Sequence, residues 1–172
     1  AKREDAEMSD APSILIVDDE PVARSRLREL LADLSPEFPH RIVGEAPNAP
    51  EALSQIEVSQ PQLVLLDIQM PGMTGIELAR HISARAQSGD APKVMPLIIF
   101  VTAFDEFAVE AFEVRAIDYL LKPVRAERLK QALQRAMTRL PQEHAQAIDQ
   151  LARATNTRRR HLSVHERGRV IL

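Results

Sequence analysis

The feature that most constrains the fold is an uninterrupted apolar run, Leu63 to Leu66, that ends on Asp67. Consecutive apolar residues are what a strand buried on both faces requires, as in a parallel sheet covered by helices. The Met-Pro-Gly turn at 70–72 cannot continue the strand. In open α/β folds, ligands bind outside the carboxyl ends of the strands. The run therefore predicts a buried strand that brings one carboxylate to the functional edge of a sheet.

Apolar segments alternate with helical segments along the chain. The predicted strands are 13–17, 41–45, 62–67, 96–101 and 116–121. A helix is predicted after each strand; the third begins at a Thr74-x-x-Glu77 capping box, and the fourth is expected at Asp105–Glu113. Such alternation is typical of a parallel sheet with helices on both faces. We predict a flavodoxin-like (βα)5 α/β fold with strand order 2-1-3-4-5.

Composition limits the classes of function. The chain has 172 residues, 45% of them hydrophobic, and a net charge of -3, which provides no overall basic field for nucleic acid or anionic membrane. There is room for one ordinary domain and a tail. The absence of cysteine excludes disulfides and thiolate metal sites. No apolar run is long enough to cross a membrane, and we expect a cytoplasmic protein.

Polar residues end four of the five predicted strands. Asp18 and Asp19 follow the first strand, Asp67 ends the third, Thr102 follows the fourth and Lys122 follows the fifth. These strands are neighbours in the predicted order, so the residues should converge. Crowded carboxylates repel unless a cation intervenes, and Mg²⁺ prefers such oxygen ligands. The set suits phosphoryl transfer onto Asp67, with Mg²⁺ and Lys122 neutralising charge and Thr102 donating a hydrogen bond.

Four short motifs carry a family resemblance. They are Val17-Asp-Asp-Glu20, Asp67-Ile-Gln-Met-Pro-Gly72, Val101-Thr-Ala103 and Asp118-Tyr-Leu-Leu-Lys-Pro123. Together they resemble the receiver domain of two-component response regulators over roughly residues 13–140. The resemblance implies that Asp67 accepts a phosphoryl group from a sensor histidine kinase. The resemblance further implies that the chain would not be an enzyme beyond its own phosphorylation and slow self-dephosphorylation.

The resemblance also implies roles for individual residues. Mg²⁺ would be held by Asp18, Asp19, Asp67 and the backbone carbonyl of Gln69. Lys122 would contact the phosphoryl group, and the Lys122-Pro123 peptide would be cis.

A switch and a dimer follow from the same resemblance. Thr102 would turn toward the phosphoryl oxygens, and Tyr119 would fill the vacated space from the adjacent strand. The affected surface covers the fourth helix, the fifth strand and the fifth helix, where we expect Phe104, Phe107 and Val109 to be exposed. We expect a homodimer through this surface.

The segment from Ala103 to Pro123 is similar to receivers of the LytTR class, whose output domain is a mostly β DNA-binding module. Residues 161–172 resemble the beginning of that module. The expected divisions are a disordered lead-in or expression remnant at 1–12, the receiver at 13–140, a helical and polar linker at 141–160, and the start of a truncated output domain at 161–172. DNA would be bound only through the missing output domain, which would regulate transcription.

Two other functions compete with this interpretation. One is a Mg²⁺-dependent phosphohydrolase with an aspartyl nucleophile. Such enzymes commonly carry an acid/base Asp two residues after the nucleophile, and here that position is Gln69, which cannot serve. The other is a stand-alone receiver whose tail is a dimerisation device.

Overall fold

One five-stranded sheet organises the protein in the computed structural model, which describes residues 11–89 and 94–140. The strands are β1 (Ser13–Val17), β2 (Arg41–Ala46), β3 (Leu63–Leu66), β4 (Leu97–Thr102) and β5 (Asp118–Leu121). All neighbouring strands pair in parallel, in the order β2-β1-β3-β4-β5. The predicted flavodoxin-like α/β fold and its strand order are confirmed.

Helices connect the parallel strands and cover the sheet. They are α1 (Pro21–Leu34), α2 (Ala49–Ser59), α3 (Gly75–Gln87) and α4 (Ala108–Glu113), and residues 126–140 form α5. The capping box of α3 is present: Glu77 N–H donates to the Thr74 hydroxyl, and Thr74 N–H donates to the Glu77 carboxylate. This reciprocal cap fixes where α3 begins, directly after the turn that follows β3.

The central strands β1, β3 and β4 are buried along their whole length. Alternate side chains point to opposite faces of a strand, so each of these strands contributes to two apolar layers. One layer packs against α2, α3 and α4, and Phe100 is fully buried within it. Burial on both faces explains why these strands are continuous apolar runs in the sequence.

Several element boundaries differ from the predicted ones. Helix α4 begins at Ala108 instead of Asp105, and Phe107 at its N-terminus makes no side-chain capping bond. Strand β5 begins at Asp118 because Ala116 N–H bonds back to Ala111 O in the last turn of α4. At the other end, Pro12 belongs to the fold, since its carbonyl accepts a hydrogen bond from Arg41 N–H at 2.9 Å.

Backbone contacts divide the chain into two units, Ala1–Ala136 and Met137–Leu172. Residues 1–10 of the expected lead-in, the whole of the expected linker at 141–160 and the expected output segment at 161–172 lie outside the described residues. Within the described ranges, no helix combines the length and apolarity needed to cross a membrane.

Candidate functional site

Backbone hydrogen bonds continue past the ends of the strands and bring two acidic residues together. Val17 pairs with Leu66 in register, and Asp67 N–H donates to Val17 O at 2.9 Å. Asp18 and Asp67, the next residue of each chain segment, therefore lie beside each other. Two adjacent parallel strands thus deliver one carboxylate each to the same point on the carboxyl edge.

A third carboxylate completes an acidic cluster. Oxygen atoms of Asp18, Asp19 and Asp67 all lie within 4.8 Å of one another. Only 1% of Asp18 and 6% of Asp67 is exposed, whereas Asp19 is half-buried. Two of the three negative charges are thus removed from water. Like charges repel more strongly in the protein interior than in water.

Lys122 lies between the two buried carboxylates. Its Nζ is 2.7 Å from Asp18 Oδ2 and 3.5 Å from Asp67 Oδ2. Its backbone N–H donates to Thr102 O at 2.8 Å, which fixes the residue at the end of β5. Burial acts to lower the pKa of Lys122, but the hydrogen bond with Asp18 and the charges of both aspartates outweigh it and raise that pKa. The amine is therefore a cation at neutral pH.

One ammonium group does not compensate for the acidic cluster. Burial, followed by the charge of Asp18, raises the pKa of Asp67 from 3.8 to about 6. Lys122 and the N–H of Ile68, which donates to Asp67 Oδ1 at 2.8 Å, oppose that rise without cancelling it. A divalent cation would supply the missing charge, and the oxygen donors are those that Mg²⁺ prefers. The residues present fit a magnesium ion.

The two residues expected to switch share a backbone partner. Thr102 is fully buried at the end of β4, and its hydroxyl oxygen accepts a hydrogen bond from Phe104 N–H at 3.4 Å. The Tyr119 hydroxyl donates to the carbonyl of the same residue. Phe104 lies outside both the Val101–Ala103 motif and the Asp118–Pro123 motif. Only the geometry after β4 identifies its backbone as the point that connects Thr102 and Tyr119.

The turn after β3 places Gln69 at the surface, where its exposed side chain lines a cleft with Thr74 and Phe107. The Lys122-Pro123 peptide is cis, as expected from the resemblance. The expected role of the Gln69 backbone carbonyl as a metal ligand stays a prediction.

Gly75 is a site residue that no sequence motif predicted. A Cβ built on Gly75 would lie 2.0 Å from the carbonyl oxygen of Asp67, closer than any real side chain could approach. Gly75 N–H also donates to Ile68 O at 2.8 Å. The first turn of α3 therefore packs directly on the backbone of Asp67. A glycine immediately after the Thr74 cap is the only sequence signal for this contact.

A model of the response regulator receiver domain matches residues 14–134. The chain belongs to this family. Receiver domains of this kind are generally signalling proteins and not enzymes. The receiver is 47% identical, over 125 residues, to the positive alginate biosynthesis regulatory protein of Pseudomonas aeruginosa; this match covers 72% of the chain and 46% of that protein.

Other relatives agree. Over 122 residues the receiver is 44% identical to the transcriptional regulatory protein BtsR of Salmonella typhi, covering 71% of the chain and 46% of that protein. The solved response regulatory domain of mrkE from Klebsiella pneumoniae superposes with a TM-score of 0.64 at 34% identity, covering 76% of the chain and 98% of that domain. The chain spans about half the length of the curated relatives it matches.

The raised pKa of Asp67 makes the stability of the metal-free receiver depend on pH. The folded pKa of about 6 exceeds the ordinary value of 3.8, so folding favours the protonated form. The stabilisation is present at low pH and is lost as the pH rises through about 6. We expect the free energy of unfolding of the wild type to fall by roughly 2 kcal/mol relative to Asp67→Asn between about pH 4 and pH 7.

Urea unfolding in the presence of a chelator, at each pH, measures this difference. Parallel pH profiles for the wild type and Asp67→Asn would contradict the assigned burial of an uncompensated charge.

Proposed function

We propose that this receiver accepts a phosphoryl group on Asp67 from a sensor histidine kinase, with Mg²⁺, and thereby controls a transcriptional output. The observation that carries the proposal is the position of Lys122, which bridges Asp18 and Asp67 while Asp19 lies within 4.8 Å of the same cluster. Family membership and the regulators among the relatives support it. Location in the cytoplasm stays a prediction.

Different groups of the site would bind the metal ion and the phosphoryl group. Asp18, Asp19 and Asp67, with the backbone carbonyl of Gln69, would hold Mg²⁺. When bound, the ion would neutralise charge on the phosphoryl oxygens. Lys122, the cation that contacts Asp18 and Asp67, would pair with a further phosphoryl oxygen and give up part of its contact with the carboxylates.

Phosphoryl transfer needs Asp67 as a carboxylate. Its oxygen forms the new bond to phosphorus while the phosphorus–nitrogen bond of phosphohistidine breaks, and the electron pair of that bond returns to the imidazole nitrogen. Ile68 N–H holds Oδ1, which leaves Oδ2 on the side of Lys122 as the atom for attack. Thr102 would then exchange its bond with Phe104 N–H for a bond to a phosphoryl oxygen.

A small phosphodonor tests the acceptor directly. Incubation with acetyl phosphate and Mg²⁺, followed by intact mass measurement, should add one phosphoryl group to the wild type and none to Asp67→Asn, because the amide is not a nucleophile. Asp105→Asn, which changes an exposed carboxylate outside the cluster, serves as the matched control and should be labelled like the wild type. Equal labelling of the wild type and Asp67→Asn would move the acceptor to another residue.

Slow self-dephosphorylation fits this site better than hydrolytic turnover. The phosphohydrolase alternative needs an acid/base group two residues after the nucleophile, and Gln69 offers an uncharged amide at that position. The exposure of Gln69 is consistent with contact to the water that would attack the phosphorylated residue.

We further propose a phosphorylation-dependent homodimer through α4, β5 and α5. Val109 and Phe112 on α4 are 69% and 84% exposed, and Leu121 on β5 is 49% exposed. Such apolar side chains are typical of an interface when they are close together on one surface. Phe104 is also exposed, as expected, but Phe107 packs against the core and Phe112 replaces it on the surface.

A negative charge introduced on this surface should weaken the dimer. We expect Phe112→Asp to weaken dimerisation at least about tenfold in the presence of beryllofluoride and Mg²⁺, because an unpaired carboxylate is costly to bury. Sedimentation equilibrium gives the dissociation constant. Val58→Asp is the matched control, since Val58 is 86% exposed on α2, and it should dimerise like the wild type. A wild type that stays monomeric with beryllofluoride would rule out the dimer.

The transcriptional output is proposed to be a DNA-binding module of the LytTR type that begins at residues 161–172. The sequence of those residues and the greater length of the relatives support this. Reading the gene in frame beyond Leu172 provides the test: about a hundred further codons with strand periodicity are expected, about one small domain. A stop codon directly after Leu172 would favour the stand-alone receiver.

A further inference from the structure

The three carboxylates of the cluster are not held equally. Asp18 accepts hydrogen bonds from Glu20 N–H and from Lys122, and Asp67 accepts hydrogen bonds from Ile68 N–H and, at 3.5 Å, from Lys122. In the described part of the chain, no hydrogen bond or ion pair holds the Asp19 side chain. The position of its carboxylate therefore depends on the backbone that carries it.

The backbone between Asp18 and Asp19 is held by a side chain from α1, which lies outside the sheet. The last strand-like bond of β1 is made by Asp18 N–H, which donates to Ala46 O at 3.1 Å. The Asp18 carbonyl, which begins the peptide leading to Asp19, instead accepts a hydrogen bond from Arg24 Nη1 at 2.7 Å. A guanidinium donor makes a strong hydrogen bond, about twice as strong as that of a neutral donor.

Arg24 is itself held in place. It lies in the second turn of α1, and its Nε is 3.5 Å from Glu45 Oε1 on β2. Its side chain is only 19% exposed. The guanidinium group therefore connects α1, β2 and the peptide between the two adjacent aspartates. Arg28 pairs with the same glutamate at 2.9 Å, but the structure shows no contact between Arg28 and Asp18.

We propose that Arg24 is a positioning residue for the metal site: by holding the Asp18 carbonyl, it fixes the peptide that places the Asp19 carboxylate beside Asp18 and Asp67. This inference rests on the proposed Mg²⁺ site. Residues that orient metal ligands without touching the metal typically change metal affinity by about 10- to 100-fold.

A purely electrostatic role and a positioning role for Arg24 predict opposite changes in Mg²⁺ affinity when Arg24 is replaced. Removing a cation near three carboxylates should strengthen binding of a divalent cation if only electrostatic attraction matters. Releasing the Asp18–Asp19 peptide should weaken binding, because Asp19 must then be ordered when the ion binds. The sign of the change therefore separates the positioning role from a simple charge effect.

The test is Mg²⁺ binding to metal-free protein, measured by titration calorimetry with magnesium chloride alone. We expect Arg24→Met, which keeps the aliphatic stem, to raise the dissociation constant about tenfold. Arg24→Lys, which can still donate to the Asp18 carbonyl, should recover most of the affinity. Arg28→Met removes a neighbouring cation from the same glutamate and should stay within about twofold of the wild type.

The Mg²⁺ affinities of these variants separate failure of the Arg24 role from failure of the metal site. An unchanged or tighter Mg²⁺ affinity in Arg24→Met overturns the positioning role, as does an equal loss in Arg24→Met and Arg28→Met. Thermal unfolding of each metal-free variant shows that the compared proteins are folded at the titration temperature. If the wild type and Asp19→Asn bind Mg²⁺ equally well, or neither binds it, the proposed metal site itself is wrong, which is a different result from failure of Arg24 alone.

Discussion

The arrangement of the site depends on one shared cation. Lys122 contacts Asp18 across 104 positions of sequence and Asp67 across 55. Without that ammonium group, two carboxylates nearly excluded from water would face each other, and even with it burial and the charge of Asp18 raise the pKa of Asp67. The fold thus keeps the cluster with an excess of negative charge that a divalent cation can compensate. The cost is a lower free energy of unfolding for the metal-free protein at neutral pH, because Asp67 must ionise while buried.

Most of the fold could be predicted because the strands are buried on both faces. The runs that became β1, β3 and β4 are continuous in apolar residues, and alternation with helices leaves few topologies. The carboxyl-edge residues followed directly, since parallel strands end at a common edge. Boundaries were less predictable where the backbone bonds to distant elements, as Ala116 does to Ala111 at the start of β5.

What the sequence could not predict is contact through the backbone. Phe104, Gly75 and Arg24 matter because their contacts involve main-chain groups, and no residue pattern records such a contact. Asp118 is similar: its carboxylate accepts hydrogen bonds from Arg128 at 2.6 and 2.8 Å and from Arg135 at 3.2 Å. Burial alone would raise the pKa of Asp118, but its bonds to Arg128 and Tyr119 N–H and the nearby charges lower it. This ion pair fixes α5 against the strand that carries Tyr119.

The missing Cβ of Gly75 has a mechanical consequence. The first turn of α3 and the peptide of Asp67 are in contact without an intervening side chain, so neither can shift toward the other. A displacement of the first turn of α3 toward the sheet would therefore reach the peptide of Asp67 through main-chain atoms alone.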